Sequence, residues 1–184
     1  YTDGAMREAV RHIVGVQFRN LATVGGSIFG RYGFSDVLSL FLALDSYVEL
    51  HKGGILPLQE FAKMDYDRDI LVRLIVKKTP AACHYQSVRA TRTDFPILTC
   101  AAAIVDGQYR FSIGARPNKA ILVTDTEGML DGELTEEKMD AFAAWMQAQI
   151  HTGSNLRGSA EYRSHLVKVV TKRALTALKG GTEC

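Results

Sequence analysis

Residues 23–27 read Thr-Val-Gly-Gly-Ser, and Asp36 lies nine positions beyond Ser27. Residue types and spacing here suit a nucleotide. Two adjacent glycines, Gly25 and Gly26, let a backbone approach a ligand closely and take positive φ. Successive N–H groups in such a turn can form a concave anion site that suits phosphate. Thr23 and Ser27 flank the glycines with hydroxyls, and Val24 anchors the segment. A carboxylate at position 36, at a helix start, can accept hydrogen bonds from ribose or ribityl hydroxyls, as acidic residues do in dinucleotide sites. The pattern is neither GxGxxG nor GxxxxGK(S/T), so the usual Rossmann and P-loop readings do not apply. A Gly-Gly pair between small residues also serves as an ordinary tight turn. On the pattern alone, both readings stand.

The elements around this segment must place it. Asp3 to Val14 reads as a helix with Met6, Val10, Ile13 and Val14 on one face, Asp3 as N-cap and Gly15 as its stop. Residues 16–34 lose periodicity and are expected to form a long glycine-bearing loop. Helix resumes after Ser35, which can cap the first turn, with Asp36 favoured there by the helix dipole. That helix is apolar nearly all round and should be deeply buried. Tyr47–Leu50 reads as a strand with a turn at 52–54, and Ile70–Val76 as a buried strand. Polar Lys77-Lys78-Thr79-Pro80 suggests a boundary, giving units 1–79 and 80–184. Strand-like runs follow at Tyr85–Arg89, Ile97–Val105 and Tyr109–Ile113, the last two joined by the hairpin signal Asp106-Gly107. Two helices close the chain. One is capped at Thr135, with Leu134 and Met139 as a hydrophobic staple. The other runs from near Ser159 to Leu178, with Gly180-Gly181 at its end. Its charges, Arg163, Lys168, Lys172, Arg173 and Lys179, read as a solvated face that could instead hold a partner.

Composition excludes several classes. A chain of 184 residues with 47% apolar and 23% charged residues can build a core without disulfides or metal. Its net charge of +2 is no nucleic-acid footprint. No apolar run is long enough for a membrane span, and Tyr1-Thr2-Asp3-Gly4 lacks the order of a signal peptide. Cys83, Cys100 and Cys184 form no CxxC pair, which argues against a disulfide framework, a zinc ribbon or a protein-bound iron–sulfur cluster and for a reducing cytoplasm. The five histidines form no i, i+4 pair, and no metal site is expected. No side chain stands out as a catalytic acid, base or nucleophile.

Taken further, the run Gln17-Phe18-Arg19-Asn20-Leu21-Ala22-Thr23-Val24-Gly25-Gly26-Ser27-Ile28, then Ser35-Asp36 and Ala43-Leu44-Asp45, resembles the second FAD-binding motif of the molybdenum hydroxylase flavoproteins. That family includes the FAD-binding subunits or domains of xanthine dehydrogenase, aldehyde oxidase, carbon monoxide dehydrogenase and nicotinate dehydrogenase. Arg89, Arg92, Asp94-Phe95-Pro96, Gly114-Ala115-Arg116-Pro117, Ser159-Ala160-Glu161-Tyr162-Arg163 and Lys172-Arg173-Ala174-Leu175 resemble the C-terminal domain of the same flavoproteins. The resemblance covers nearly the whole chain, in order.

The resemblance implies an α+β fold: the second lobe of the FAD-binding domain, then a smaller domain with an antiparallel sheet and helices. It implies that Thr23, Val24, Gly25, Gly26 and Ser27 line FAD, that Asp36 holds a cofactor hydroxyl, and that Ile13 and Leu71 make apolar cofactor contacts. It implies an electron-transfer subunit of an oxidoreductase complex. Iron–sulfur clusters and the molybdopterin cofactor would sit on partner subunits, and electrons would pass through FAD to NAD or another acceptor. The sequence departs from the family at Ser27, where Asn is usual, and at Val88, where a lysine is common. The family's first lobe, which normally precedes the helix at Asp3, does not lie within these residues. An alternative expectation is therefore a non-catalytic docking module that does not bind FAD tightly by itself.

Overall fold

The computed structural model describes residues 1–66, 68–79 and 81–181. The boundary residue Pro80 and the third cysteine, Cys184, lie outside the described residues.

Four helices open the chain: α1 (Ala5–Arg11), α2 (Val16–Leu21), α3 (Val24–Phe29) and α4 (Asp36–Ala43). Then come β1 (Ser46–Leu50), β2 (Gly54–Pro57), α5 (Leu58–Lys63) and β3 (Leu71–Val76), with the strands in antiparallel order β2-β1-β3. β4 (Ala81–Val88), β5 (Leu98–Val105), β6 (Gln108–Gly114) and β7 (Ile121–Thr124) form a four-stranded antiparallel meander. Helices α6 (Glu136–Gln149) and α7 (Ala160–Gly181) follow. The fold is α+β with antiparallel sheets, as expected from the sequence.

The four-stranded sheet is the middle layer. α1 and α4 pack on one face, and α7, paired with α6, packs on the other. β5 is buried on both sides because its side chains are small. Ala101 and Ala103 join Leu38, Leu42 and Tyr85 in one core, while Leu98, Cys100 and Ala102 join Phe111, Phe142 and Val170 in the other. The period-two alternation of a strand thus feeds two cores at once. α4 comes especially close: the Ser39 and Thr99 hydroxyls hydrogen-bond at 2.9 Å, and a Cβ at Gly114 would stand 2.3 Å from Ser39 Oγ.

Several local expectations hold. Ser35 Oγ accepts from Leu38 N at 3.1 Å, Thr135 Oγ1 from Lys138 N at 3.3 Å and Ser159 Oγ from Tyr162 N at 3.2 Å. Asp106 and Gly107 have φ of 51° and 78°, the pair of positive values that a tight hairpin of this hand requires. Leu166, Val170, Ala174 and Leu178 are buried along α7.

Others need correction. Residues 16–34 are not a long loop, because α2 and α3 occupy much of the stretch. The helices are short, and α2 buries no residue, so no apolar periodicity announces them. Asp3 does not cap α1; Gly4 does so with φ 82°, and Asp3 Oδ2 instead accepts from Cys83 N at 3.4 Å. α1 ends at Arg11, its buried contacts are Ala5 and Ala9, and Gly15 opens α2 rather than closing α1. Arg163 is not part of a solvated face. It is fully buried, donating to the carbonyls of Ile97 at 2.8 Å and Gly153 at 2.7 Å among others.

Candidate functional site: a cleft at the start of α3 and α4

The glycine pair lies inside the first turns of α3. Neither glycine takes positive φ, so the anion-binding turn expected of them is not formed. Thr23 Oγ1 accepts from Gly26 N at 3.0 Å and Thr23 O accepts from Ser27 N at 3.1 Å, so those amides close the helix start instead. The glycines still matter for space. A Cβ on Gly26 would stand 2.9 Å from the capping oxygen of Thr23, and one on Gly25 would meet Leu71 Cδ2 at 3.8 Å.

A cleft of about 400 Å³ opens beside α3. Ile13, Thr23, Gly26, Ser27 and Asp36 line it, together with Phe18, Phe34, Arg89 and Phe95. Five of the eight expected site residues therefore converge on one cavity. The other three do not line it: Val24 is exposed, and Gly25 and Leu71 face each other between α3 and β3.

The polar centre of the cleft is Asp36 at the first turn of α4. Its side chain is only 6% exposed. Oδ1 accepts from the Tyr85 hydroxyl and from Arg89 Nη2, both reaching over from the β4 side. Both bonds fall on one oxygen of a residue that lines the cleft. Arg89 is itself fixed: Nε donates to Ser87 Oγ at 3.1 Å and Nη1 to the Asp94 carbonyl at 2.5 Å. Burial and the adjacent Asp36 charge push the Tyr85 phenol well above its ordinary value, so it remains a donor.

Aromatic rings form the rim. Tyr32 and Phe34 stack with centroids 5.2 Å apart and planes nearly parallel, and Phe95 leans on Phe34 at 4.3 Å. The loop carrying Tyr32 and Phe34 is pinned from below by buried Arg31, which donates to the carbonyls of Phe61 and Met64 at 3.3 Å and lies over the Phe61 ring at 4.4 Å. The loop carrying Phe95 is held by Asp94, whose Oδ1 accepts from Arg157 Nη2 at 3.0 Å. That guanidinium, then the Phe95 amide, holds the Asp94 carboxyl below its ordinary range.

Sequence reasoning missed Arg89 as a site residue, although Arg89 and Asp94 were part of a recognised pattern. Nor does it point to His12, which lines the cleft beside Ile13, or to the aromatic rim. The signal available was Asp36 itself: a carboxylate beginning an apolar helix must find a cation when the helix is buried. Among the described residues, no group of three or more His, Cys, Asp or Glu could hold a metal ion.

The cleft offers apolar walls from Ile13, Phe18, Phe34 and Phe95 and one anchored carboxylate, Asp36, the kinds of group that a fused ring and a hydroxyl would need.

Residues 3–78 match the family described as FAD binding domain in molybdopterin dehydrogenase, and residues 83–178 match that described as CO dehydrogenase flavoprotein C-terminal domain. The chain belongs to this family of molybdopterin-dehydrogenase flavoproteins. Among curated proteins it is 27% identical over 172 residues to the protein YgfM of Escherichia coli, covering 92% of this chain and 63% of that one. It is 25% identical over 184 residues to the nicotine 6-hydroxylase medium subunit of Paenarthrobacter nicotinovorans, covering 92% of this chain and 65% of the relative. Among solved structures, a reconstituted CO dehydrogenase from Oligotropha carboxidovorans superposes with a TM-score of 0.84 at 20% identity, covering 96% of this chain and 67% of that one. The chain spans less than two thirds of the length of these curated relatives.

Proposed function

We propose that this chain is the FAD-holding part of an electron-transfer subunit in a molybdenum-containing hydroxylase or dehydrogenase. The carrying observation is that Ile13, Thr23, Gly26, Ser27 and Asp36, chosen from sequence, line one cleft. In this reading Ile13 and the aromatic rim cover the flavin ring, Gly26 lets it approach α3, and Asp36 Oδ2 takes a ribityl or ribose hydroxyl. Val24, Gly25 and Leu71 lie behind that wall and would contact cofactor only beyond the cleft. The redox chemistry would be supplied by FAD, while the protein positions it and keeps water from one of its faces. Electrons would arrive from the iron–sulfur clusters of a partner subunit and leave to NAD or another acceptor. The molybdopterin cofactor would sit on a further partner. Units 1–79 and 80–184 would act together, since Asp36 belongs to the first and Arg89 to the second.

The buried thiols of Cys83 and Cys100 suit a cytoplasmic setting; burial pushes them up to about 11 and about 12. No helix among the described residues is long and apolar enough to cross a membrane. The docking-module alternative gains little from α7. Arg163 is buried, and Lys172 is held by Glu136 and Asp140 at 3.0 and 2.8 Å.

The test is flavin content. The full polypeptide is purified as wild type and as Gly26→Val, and bound flavin is measured by absorbance. We expect a stoichiometric yellow wild type and a variant that loses most of its flavin. Equal flavin in both would remove the cleft from the account.

A further inference from the structure

Asp36 is a useful hydrogen-bond acceptor only if its carboxylate is aimed into the cleft, and nothing on α4 aims it. Its neighbours on that helix are apolar or engaged: Ser35 Oγ caps Leu38, and Val37 and Leu38 point into the core. The groups that fix Asp36 come from the other side of the junction. Tyr85 lies on β4, is 2% exposed and does not reach the cleft. Arg89 follows β4, and its guanidinium edge holds Ser87, Asp94 and Asp36 at once.

We infer that Tyr85 and Arg89 are positioning residues that orient Asp36 toward a cofactor hydroxyl, so that the flavin nucleotide is recognised across the junction between α4 and the four-stranded sheet. This rests on the reading that the cleft holds FAD. The argument is geometric. Both donors engage Oδ1, which fixes the carboxylate and leaves Oδ2 out of these two bonds, on a residue that lines the cleft. A carboxylate pinned this way loses little rotamer freedom when a ligand binds, which is the usual source of gain from preorganisation. Arg89 is 7% exposed on its side chain, and its three recorded bonds are all to protein. Arg89 lines the cleft, but its Nε, Nη1 and Nη2 each donate to protein, Nη2 to Asp36 itself, so the part assigned to it is holding that carboxylate.

A residue that acts through another shows a particular non-additivity. FAD dissociation constants are measured by flavin fluorescence on the full polypeptide as wild type, Asp36→Asn, Arg89→Met, Tyr85→Phe and the two double variants. Lumiflavin, the ring without its ribityl chain, serves as second probe. We expect Arg89→Met to weaken FAD about tenfold and Tyr85→Phe to weaken it severalfold. Neither should weaken binding further once Asp36 is Asn, and lumiflavin affinity should not change. Tyr85→Phe keeps the volume of the site and the Asp36–Arg89 pair, so the test survives if Arg89→Met alone does not fold. Losses that multiply in the double variants, or FAD binding unchanged in Tyr85→Phe and Arg89→Met, would overturn the inference while leaving the FAD reading intact. Absence of FAD binding by the wild type would overturn both.

Discussion

Asp36 and Arg89 form an ion pair almost closed to water, and such pairs add little net stability while punishing the loss of one partner. Their presence at a cleft wall therefore speaks for function more than for holding the fold together. Histidines carry a second residue-scale consequence. Burial, foremost, lowers His12 and His84 from their ordinary 6.5, and for His12 the Arg11 charge adds to it. A folded-state value below the unfolded one means that unfolding takes up protons. The stability due to these groups is complete above pH about 6.5 and is lost as pH falls below it. Thermal midpoints measured from about pH 7.5 to 5.5 should fall more steeply in the wild type than in His12→Gln/His84→Gln. At this scale the sequence singles out Asp36, Thr23 and Gly26, which all line the cleft, because each type has a narrow use. It concealed Arg89, because which charge meets Asp36 is decided by a contact 53 residues away.

Elements differ in how openly they announce themselves. The β5–β6 hairpin is legible because Asp106-Gly107 tolerates two positive φ values that other pairs resist. α7 is legible because its apolar residues recur at helical spacing from Leu166 to Leu178. α2 and α3 are hidden: each has six residues, too few to show a period, and α2 leaves Val16, Phe18 and Leu21 exposed while α3 buries Ile28. β7 and α5, four and six residues long, are hidden because each is too short to show a period, although α5 buries Leu58, Phe61 and Ala62. Packing between elements is tight where α4 meets β5 and β6. Gly114→Ala would drive a methyl into the Ser39–Thr99 hydroxyl pair. Overpacking of that kind costs about 1–3 kcal/mol. An unfolding free energy from urea titration lowered by that amount, with unchanged slope, is the expected result.

At the scale of the whole molecule, two cores share one sheet, with β5 contributing to both. Unfolding either face removes support from the other, so the chain should melt in one transition. Trp145, the single tryptophan, lies on α6 against the core that excludes α4. Its fluorescence should therefore change together with far-ultraviolet circular dichroism, and separated transitions would show that the two faces fold independently. If the α3–α4 cleft receives a flavin nucleotide, as proposed, FAD binding shields the backbone around it. Hydrogen exchange on the full polypeptide with and without FAD should show slowed exchange at residues 12–14, 22–27 and 32–37. Protection confined to other segments, or none under saturating FAD, would contradict the proposal.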